Sequence, residues 1–130
     1  MKQFIGSWTR ELGKGTFLII ENTPFGIGMA SNSQIVTNGE ILDSVKHPYR
    51  YDKKTDRFIM AELVKSSSII EICNAWFKSG SAGELVVTNT ENAKFKWKFE
   101  FKNINLIVRT AISDGIAFKE VSLTRKRSDM

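Results

Sequence analysis

Apolar and charged residues alternate strictly along residues 93–102, which read Ala-Lys-Phe-Lys-Trp-Lys-Phe-Glu-Phe-Lys. Successive side chains of a β-strand point to opposite faces, so this period of two places Phe95, Trp97, Phe99 and Phe101 on one face and the charges on the other. A helix would scatter the same side chains around its circumference. The pattern therefore predicts a strand with an apolar interior on one side and water on the other, as in an antiparallel sheet closed around its own core.

The remainder of the chain predicts more strands joined by short turns, and no segment shows a helical period. Asn38-Gly39 and Ser113-Asp114-Gly115 are strong turn signals. Pro24 predicts a break over residues 23–28. A polar turn is expected at residues 89–92 and a frayed tail at 126–130. The expected strands cover residues 4–12, 16–21, 49–52, 57–64, 69–77, 84–88, 93–102, 104–112 and 116–125, and residues 33–37 and 39–45 are candidates for two short strands beside the Asn38-Gly39 turn.

Eight to ten strands that follow one another through short turns predict an all-β fold with little or no helix. The favoured architecture is a single antiparallel up-and-down β-barrel. A two-sheet sandwich would show the same period and is the alternative. The length of 130 residues suits one domain with its own core, and no linker or repeat divides residues 1–130.

The composition, 42% hydrophobic and 25% charged, is typical of a globular protein. No apolar run approaches the roughly 20 residues of a membrane span, so none is expected. The N-terminal residues run directly into strand-like sequence without an apolar signal core. As written, the chain is therefore expected to be cytoplasmic, whereas an exported protein whose signal peptide had been removed would show the same sequence.

Candidate chemistry is sparse, because the chain has one cysteine, Cys73, and one histidine, His47. No internal disulfide is possible and a structural zinc site is excluded. Cys73 lies in strand-like sequence and is expected to be a small buried residue, while His47, beside Pro48, is expected in a solvated loop. No nucleophile with a matching base and no glycine-rich phosphate loop occurs. We therefore expect no catalytic residue, no metal, no cofactor and no enzymatic activity.

The net charge of +5 is modest and mostly scattered along the chain. The lysines of residues 93–102 share the face opposite the aromatic residues, which favours a solvated outer surface. The aromatic side chains that could stack on bases point the other way, so no nucleic-acid partner is expected.

Both ends of the chain resemble the calycin barrels. Gly6-Ser7-Trp8 is similar to the Gly-x-Trp signature of their first strand, and Ser122-Leu123-Thr124-Arg125-Lys126 resembles their closing strand. The resemblance implies a barrel floor at which Arg125 lies across Trp8, and such a pair makes a favourable cation–π contact. Residues 51–58 resemble the Tyr-Asp-x-x-Thr-x-x-Phe hairpin of small bacterial lipocalin-like domains of unassigned function.

Two other calycin groups are more distant relatives. Fatty-acid-binding proteins insert two helices after the first strand, for which Gly13-Lys14-Gly15 leaves no room. Avidins present Asn and Ser to biotin at positions where this chain has Arg10 and Lys14. A lipocalin-like barrel without a helical lid is the better match.

The interior wall follows from the strand period once Trp97 is taken as inward-facing. Its hairpin partner would then present Ile104, Leu106 and Val108, and the strand of residues 69–77 would present Ile70, Ile72, Asn74 and Trp76. In residues 57–64 either Phe58, Met60 and Glu62 or Ile59, Ala61 and Leu63 face inward, because a slip of one residue exchanges the faces. The candidate ligand-binding residues are Phe58, Met60, Asn74, Trp76 and Trp97.

The sequence supports two hypotheses about function. The first is a non-enzymatic lipocalin-like barrel that binds a small hydrophobic or amphipathic ligand in its interior. The alternative is a packed barrel without a ligand that acts as a protein interaction or structural module. The volume left inside the barrel distinguishes them, because the nine Phe and three Trp residues could fill it.

Overall fold

Ten antiparallel strands close into one barrel in the computed structural model, which describes residues 2–89 and 95–126. Each strand pairs with its neighbours in the chain, and the last strand returns to the first. In order, the strands are β1 Gly6–Gly13, β2 Thr16–Phe25, β3 Gly28–Thr37, β4 Glu40–Asp52, β5 Arg57–Val64, β6 Ile70–Phe77, β7 Ala82–Val87, β8 Phe95–Asn103, β9 Leu106–Ser113 and β10 Ile116–Arg125. The all-β up-and-down barrel is confirmed, and the sandwich alternative was wrong.

Before β1, the chain forms a short 3-10 turn over Lys2–Phe4, so residues 4 and 5 are not part of the first strand as expected. This turn is the only helical element among the residues that the structure describes. Three parts of the expected pattern lie outside the described residues: residues 90–92 of the turn expected at 89–92, residues 93 and 94 of the alternating segment, and residues 127–130 of the expected tail.

The expected hairpin turns are confirmed by their backbone geometry. Asn38 and Gly39 have φ values of 50° and 83°, and Asp114 and Gly115 have φ values of 51° and 78°. Two consecutive residues with positive φ give a turn whose twist matches that of the flanking strands. The Asn-Gly and Asp-Gly pairs therefore fix where β3 meets β4 and where β9 meets β10.

The break expected over residues 23–28 is confined to a turn at residues 26 and 27, and its extension to Pro24 was wrong, because β2 continues through the proline to Phe25. Pro24 pairs with Met29 of β3, whereas the pairing of β2 with β1 begins only at Asn22. At this point β2 has a neighbour on one side alone. A proline is tolerated in such an edge position because no second strand needs its missing N–H.

The hairpin between β8 and β9 also differs from expectation. The chain turns at Ile104 and Asn105 rather than at residues 102 and 103, and the register shifts between Phe101 and Asn103. Trp97 consequently pairs with Ala111. The inward face of β9 therefore carries Ile107, Arg109 and Ala111, and the inward set expected from residues 104, 106 and 108 was wrong.

The barrel closes through a short seam, in which β1 and β10 pair only at Trp8 with Arg125 and at Thr9 with Thr124. The guanidinium carbon of Arg125 lies 4.3 Å from the centroid of the Trp8 ring. Trp8 is 1% exposed and forms the core of this end with Ile20, Ile107 and Leu123. The floor pair implied by the calycin resemblance is thus present in the structure.

Arg125 also bonds to the chain on both sides of the seam. Its Nη1 donates to the carbonyl of Ile5 at 2.6 Å, Nη2 to that of Gln3 at 3.0 Å and Nε to that of Ile104 at 3.1 Å. Gly6 makes this approach possible, since its φ is +120° and a Cβ there would lie 2.5 Å from Arg125 Nη1. The glycine of the Gly-x-Trp signature therefore leaves space for the Arg125 guanidinium, and the tryptophan of the signature packs against that guanidinium.

We expect Trp8 and Arg125 to depend on each other for stability. Arg125→Ala removes the cation and three donors, Trp8→Phe reduces the ring surface, and the two changes should couple by about 0.5–2 kcal/mol in a double-mutant cycle. The measurement is urea unfolding of the wild type, the two single variants and the double variant. Effects that simply add would show that the two side chains touch without stabilising each other.

Candidate functional site

The barrel interior contains a cavity of about 270 Å³ bordered by inward-facing side chains of nearly every strand. One part of its wall is aromatic, where the rings of Phe4, Phe77 and Phe99 pack with centroids 5.3–6.0 Å apart. Phe58 extends this group through Phe77, at 5.9 Å. Since these rings hold one another in edge-to-face and tilted contacts, they form a preformed apolar surface.

The 3-10 turn positions the aromatic wall at the floor. The carbonyl of Phe4 accepts hydrogen bonds from Trp8 Nε1 and Asn22 Nδ2, both at 2.9 Å. These two bonds hold the ring of Phe4 against Phe99 and Phe101. Asn22 lines the cavity, and its buried Oδ1 has no hydrogen-bond partner among the described residues, so it presents an acceptor to the interior.

A second group of cavity residues is polar and is centred on His47 and Glu62. His47 lies in β4 rather than in a solvated loop, so that expectation was wrong. Its Nε2 is 3.0 Å from Oε1 of Glu62 on β5, and both side chains line the cavity. The hydrogen bond to His47 lowers the pKa of Glu62, against the opposing effect of burial, and Arg109 adds a smaller lowering effect.

Tyr49 and Cys73 line the cavity as uncharged groups. Burial raises the pKa of the Tyr49 hydroxyl to about 12, an effect that the nearby positive charge of Arg109 only partly offsets. Burial also raises the pKa of the Cys73 thiol to about 12, with Glu62 and Glu71 adding to the effect. Both groups therefore stay protonated near neutral pH, which leaves a hydroxyl donor and an inert thiol in the wall.

Arg109 is the cationic side chain of the cavity wall. Its guanidinium carbon lies 4.9 Å from the centroid of the Trp97 ring, and both residues line the cavity. Burial lowers the pKa of Arg109, while the nearby Tyr49 and Glu62 act in the opposite direction. A guanidinium nevertheless remains protonated at any physiological pH, so the charge is permanent.

Three of the five candidate ligand-binding residues, Phe58, Met60 and Trp97, line the cavity. Of the two faces left open for residues 57–64, the one that carries Phe58, Met60 and Glu62 therefore points inward. The binding role of these residues stays a prediction.

Asn74 and Trp76 do not line the cavity, and the inward face expected for β6 was wrong. The inward residues of this strand are Glu71, Cys73, Ala75 and Phe77. Trp76 instead lies on the outer surface, where the guanidinium carbon of Arg57 is 4.6 Å from its ring centroid. The size of a tryptophan did not indicate its direction, since its neighbours on the inward face include both the small Cys73 and Ala75 and the large Phe77.

The sequence analysis missed Arg109, Tyr49 and His47 as cavity residues. Residues 106–111 read Leu-Ile-Val-Arg-Thr-Ala, so both faces of β9 carry apolar side chains and no period marks the arginine. The one signal for Arg109 was the pairing of its strand with the strand of Trp97. The displaced turn and the register shift between Phe101 and Asn103 hid that signal. Tyr49 and His47 flank Pro48, which suggested irregular structure, but β4 continues through that residue.

Comparisons with protein-family models, with curated proteins and with solved structures found no match for this chain. Within residues 2–89 and 95–126, no helix has the length and apolar character to cross a membrane. In the same part of the chain, no group of three or more His, Cys, Asp and Glu side chains is arranged to hold a metal ion. The assignment of function therefore depends on the cavity itself.

The hydrogen bond between His47 and Glu62 should make stability depend on acidity. The pKa of Glu62 is lower in the folded state, so the contribution is complete above the unfolded value of about 4.3 and is lost as the pH falls through the folded value. At pH 6, Glu62→Gln should cost about 0.5–1.5 kcal/mol, a range reduced for partial exposure. Urea unfolding between pH 6 and pH 3 should show this cost shrinking on acidification.

The control for this effect is the same substitution in a His47→Asn background. Without the imidazole, Glu62→Gln should cost less at pH 6 and should vary less with pH. A cost that is unchanged in that background would show that His47 does not stabilise the Glu62 carboxylate.

Proposed function

We propose that this chain is a non-enzymatic barrel of the calycin type that binds a small hydrophobic or amphipathic ligand in its interior. The observation that carries the proposal is the cavity of about 270 Å³ inside the closed barrel. Its wall combines aromatic and aliphatic side chains with a few polar groups, which is the usual composition of a small-molecule site. The pairing of Gly6, Trp8 and Arg125 at the floor supports the calycin assignment.

The cavity favours ligand binding over the packed interaction module. Large aromatic side chains could have filled the interior, but the inward positions of β6 and β9 carry the small residues Cys73, Ala75 and Ala111. Space therefore remains beside Phe58, Met60 and Trp97. A barrel that served only as a scaffold would gain stability from filling this space, because empty volume in a core is destabilising.

The chemistry of the wall supports binding rather than catalysis. A cysteine nucleophile needs a thiolate, whereas burial keeps the Cys73 thiol protonated with a pKa of about 12. The carboxylate of Glu62 is held by His47. Polar groups in this arrangement suit the orientation of a bound molecule.

A neutral apolar probe such as N-phenyl-1-naphthylamine should bind and change the tryptophan fluorescence, because Trp97 lines the cavity. Binding should persist between 0.1 M and 1 M salt, over which the Debye length falls from about 10 Å to about 3 Å. Capture on the outer lysine surface would weaken over that range for an anionic amphiphile. If no neutral probe binds at high salt, the packed interaction module replaces the proposal.

Met60→Trp should abolish probe uptake without unfolding the barrel, because the larger side chain occupies the cavity beside Phe58 and Tyr49. The matched control is Ile59→Trp, since Ile59 is the neighbouring residue of β5, is 39% exposed and points outward. Fluorescence titration should show uptake by the control and none by Met60→Trp, and thermal melts should show that both are folded. Equal uptake by both variants would place the probe outside the cavity.

A further inference from the structure

Arg109 differs from the other arginines that contact a tryptophan ring. Arg125 donates to three carbonyls besides its contact with Trp8, and Arg57 contacts Trp76 on the outer surface and donates to the carbonyl of Asp56. Among the described residues, the guanidinium of Arg109 makes no hydrogen bond or ion pair, and its cation–π contact is with Trp97. Its five N–H donors therefore remain available inside the cavity.

The position of Arg109 directs these donors across the cavity. β9 and β4 lie five strands apart in a ring of ten, so Arg109 and Tyr49 stand on opposite walls. All three side chains, Arg109, Tyr49 and Glu62, line the same cavity, and the charge of Arg109 acts to lower the pKa of the other two. A ligand in the cavity would therefore meet the guanidinium on one side and the neutral Tyr49 hydroxyl on the other.

The neighbouring carboxylates do not neutralise Arg109 directly. Glu62 is held by His47 at 3.0 Å, and no ion pair joins Glu62 or Glu71 to Arg109 among the described residues. Arg109 is half-buried in the cavity wall, and the partial loss of surrounding water lowers its pKa. An anionic group of a ligand would supply an ion-pair partner, and a guanidinium binds a carboxylate through two parallel hydrogen bonds.

We infer that the cavity selects an anionic amphiphile, whose carboxylate binds the guanidinium of Arg109 and whose apolar tail packs on the rings of Phe58, Phe77 and Phe99. This inference rests on the proposed function and adds the chemical class of the ligand to it. Tyr49 supplies a further hydrogen-bond donor to the head group, because its hydroxyl stays protonated. Trp97 holds the guanidinium in place from the opposite side.

The test compares three ligands that share a ten-carbon tail and differ in the head group: decanoate, decanol and decylamine. Each displaces N-phenyl-1-naphthylamine from the wild-type protein in 1 M salt, below its micelle concentration. Decanoate should bind at least about tenfold more tightly than decanol, the effect of a charge-assisted hydrogen bond, and decylamine should bind most weakly. Because the three ligands are ranked on the wild-type protein, this measurement tests the inference even if a variant fails to fold.

The variant that tests the residue is Arg109→Met, which keeps an unbranched chain of about the length of the arginine's aliphatic part and removes the charge and the donors. It should lose the preference for decanoate and keep its affinity for decanol. Arg57→Met is the matched control, because it removes an arginine from a tryptophan ring on the outer surface and should keep the preference for decanoate.

The outcomes separate the two proposals. Equal binding of decanoate and decanol by the wild type, or a preference for decanoate that persists in Arg109→Met, overturns the role of Arg109 while leaving ligand binding intact. Tighter binding of decylamine also overturns it and assigns the head group to the carboxylates of Glu62 and Glu71. If none of the three ligands displaces the probe, and the probe itself does not bind, both proposals are wrong.

Discussion

The contact between Arg125 and Trp8 determines how this barrel closes. The seam between β1 and β10 contains two residue pairs, so backbone pairing alone joins the first and last strands over a short distance. Arg125 adds donors to carbonyls on the segment before β1 and on the turn between β8 and β9. A lysine could not replace it, because only the planar guanidinium can bond several carbonyls while its face lies on an indole ring.

The closed floor also organises the site. Because Arg125, Trp8 and Asn22 hold the segment of residues 3–5, the ring of Phe4 projects into the barrel as the base of the aromatic wall. The other aromatic rings then pack on it from β6 and β8. Of the polar cavity residues, His47, Tyr49, Glu62 and Arg109 lie on β4, β5 and β9, whereas Asn22 of β2 is bonded to Phe4 at the base itself. The architecture of the floor thereby creates an interior with an aromatic region and a polar region.

The sequence predicted the strands and turns well because their signals are local. A period of two, the Asn38-Gly39 and Asp114-Gly115 turns and the signatures at the two ends were sufficient for the all-β barrel. The direction of the side chains was less predictable, because it depends on the register between strands. A turn displaced by two residues, together with the irregularity near Lys102, reversed the face of β9 and hid Arg109.

The prolines and β6 show two further limits of local signals. Pro24 and Pro48 suggested breaks, but each lies where the ladder on one side is absent or interrupted, and a strand can pass through such a position. In β6, Trp76 faces out, whereas Cys73, Ala75 and Phe77 face in. The small inward residues Cys73 and Ala75 leave space in the cavity, and the alternation that places them there turns Trp76 outward.

Three arginines lie over three tryptophans in this barrel, and the remaining contacts of each guanidinium determine its role. Arg125 finds protein acceptors and therefore stabilises the fold. Arg57 contacts Trp76 on the outer surface, where water can satisfy its donors. Arg109 lies beside the cavity, with an aromatic ring on one side and open space on the other. The same pair of residue types is thus structural where the protein supplies the acceptors, and under the proposed function it serves recognition where the protein does not.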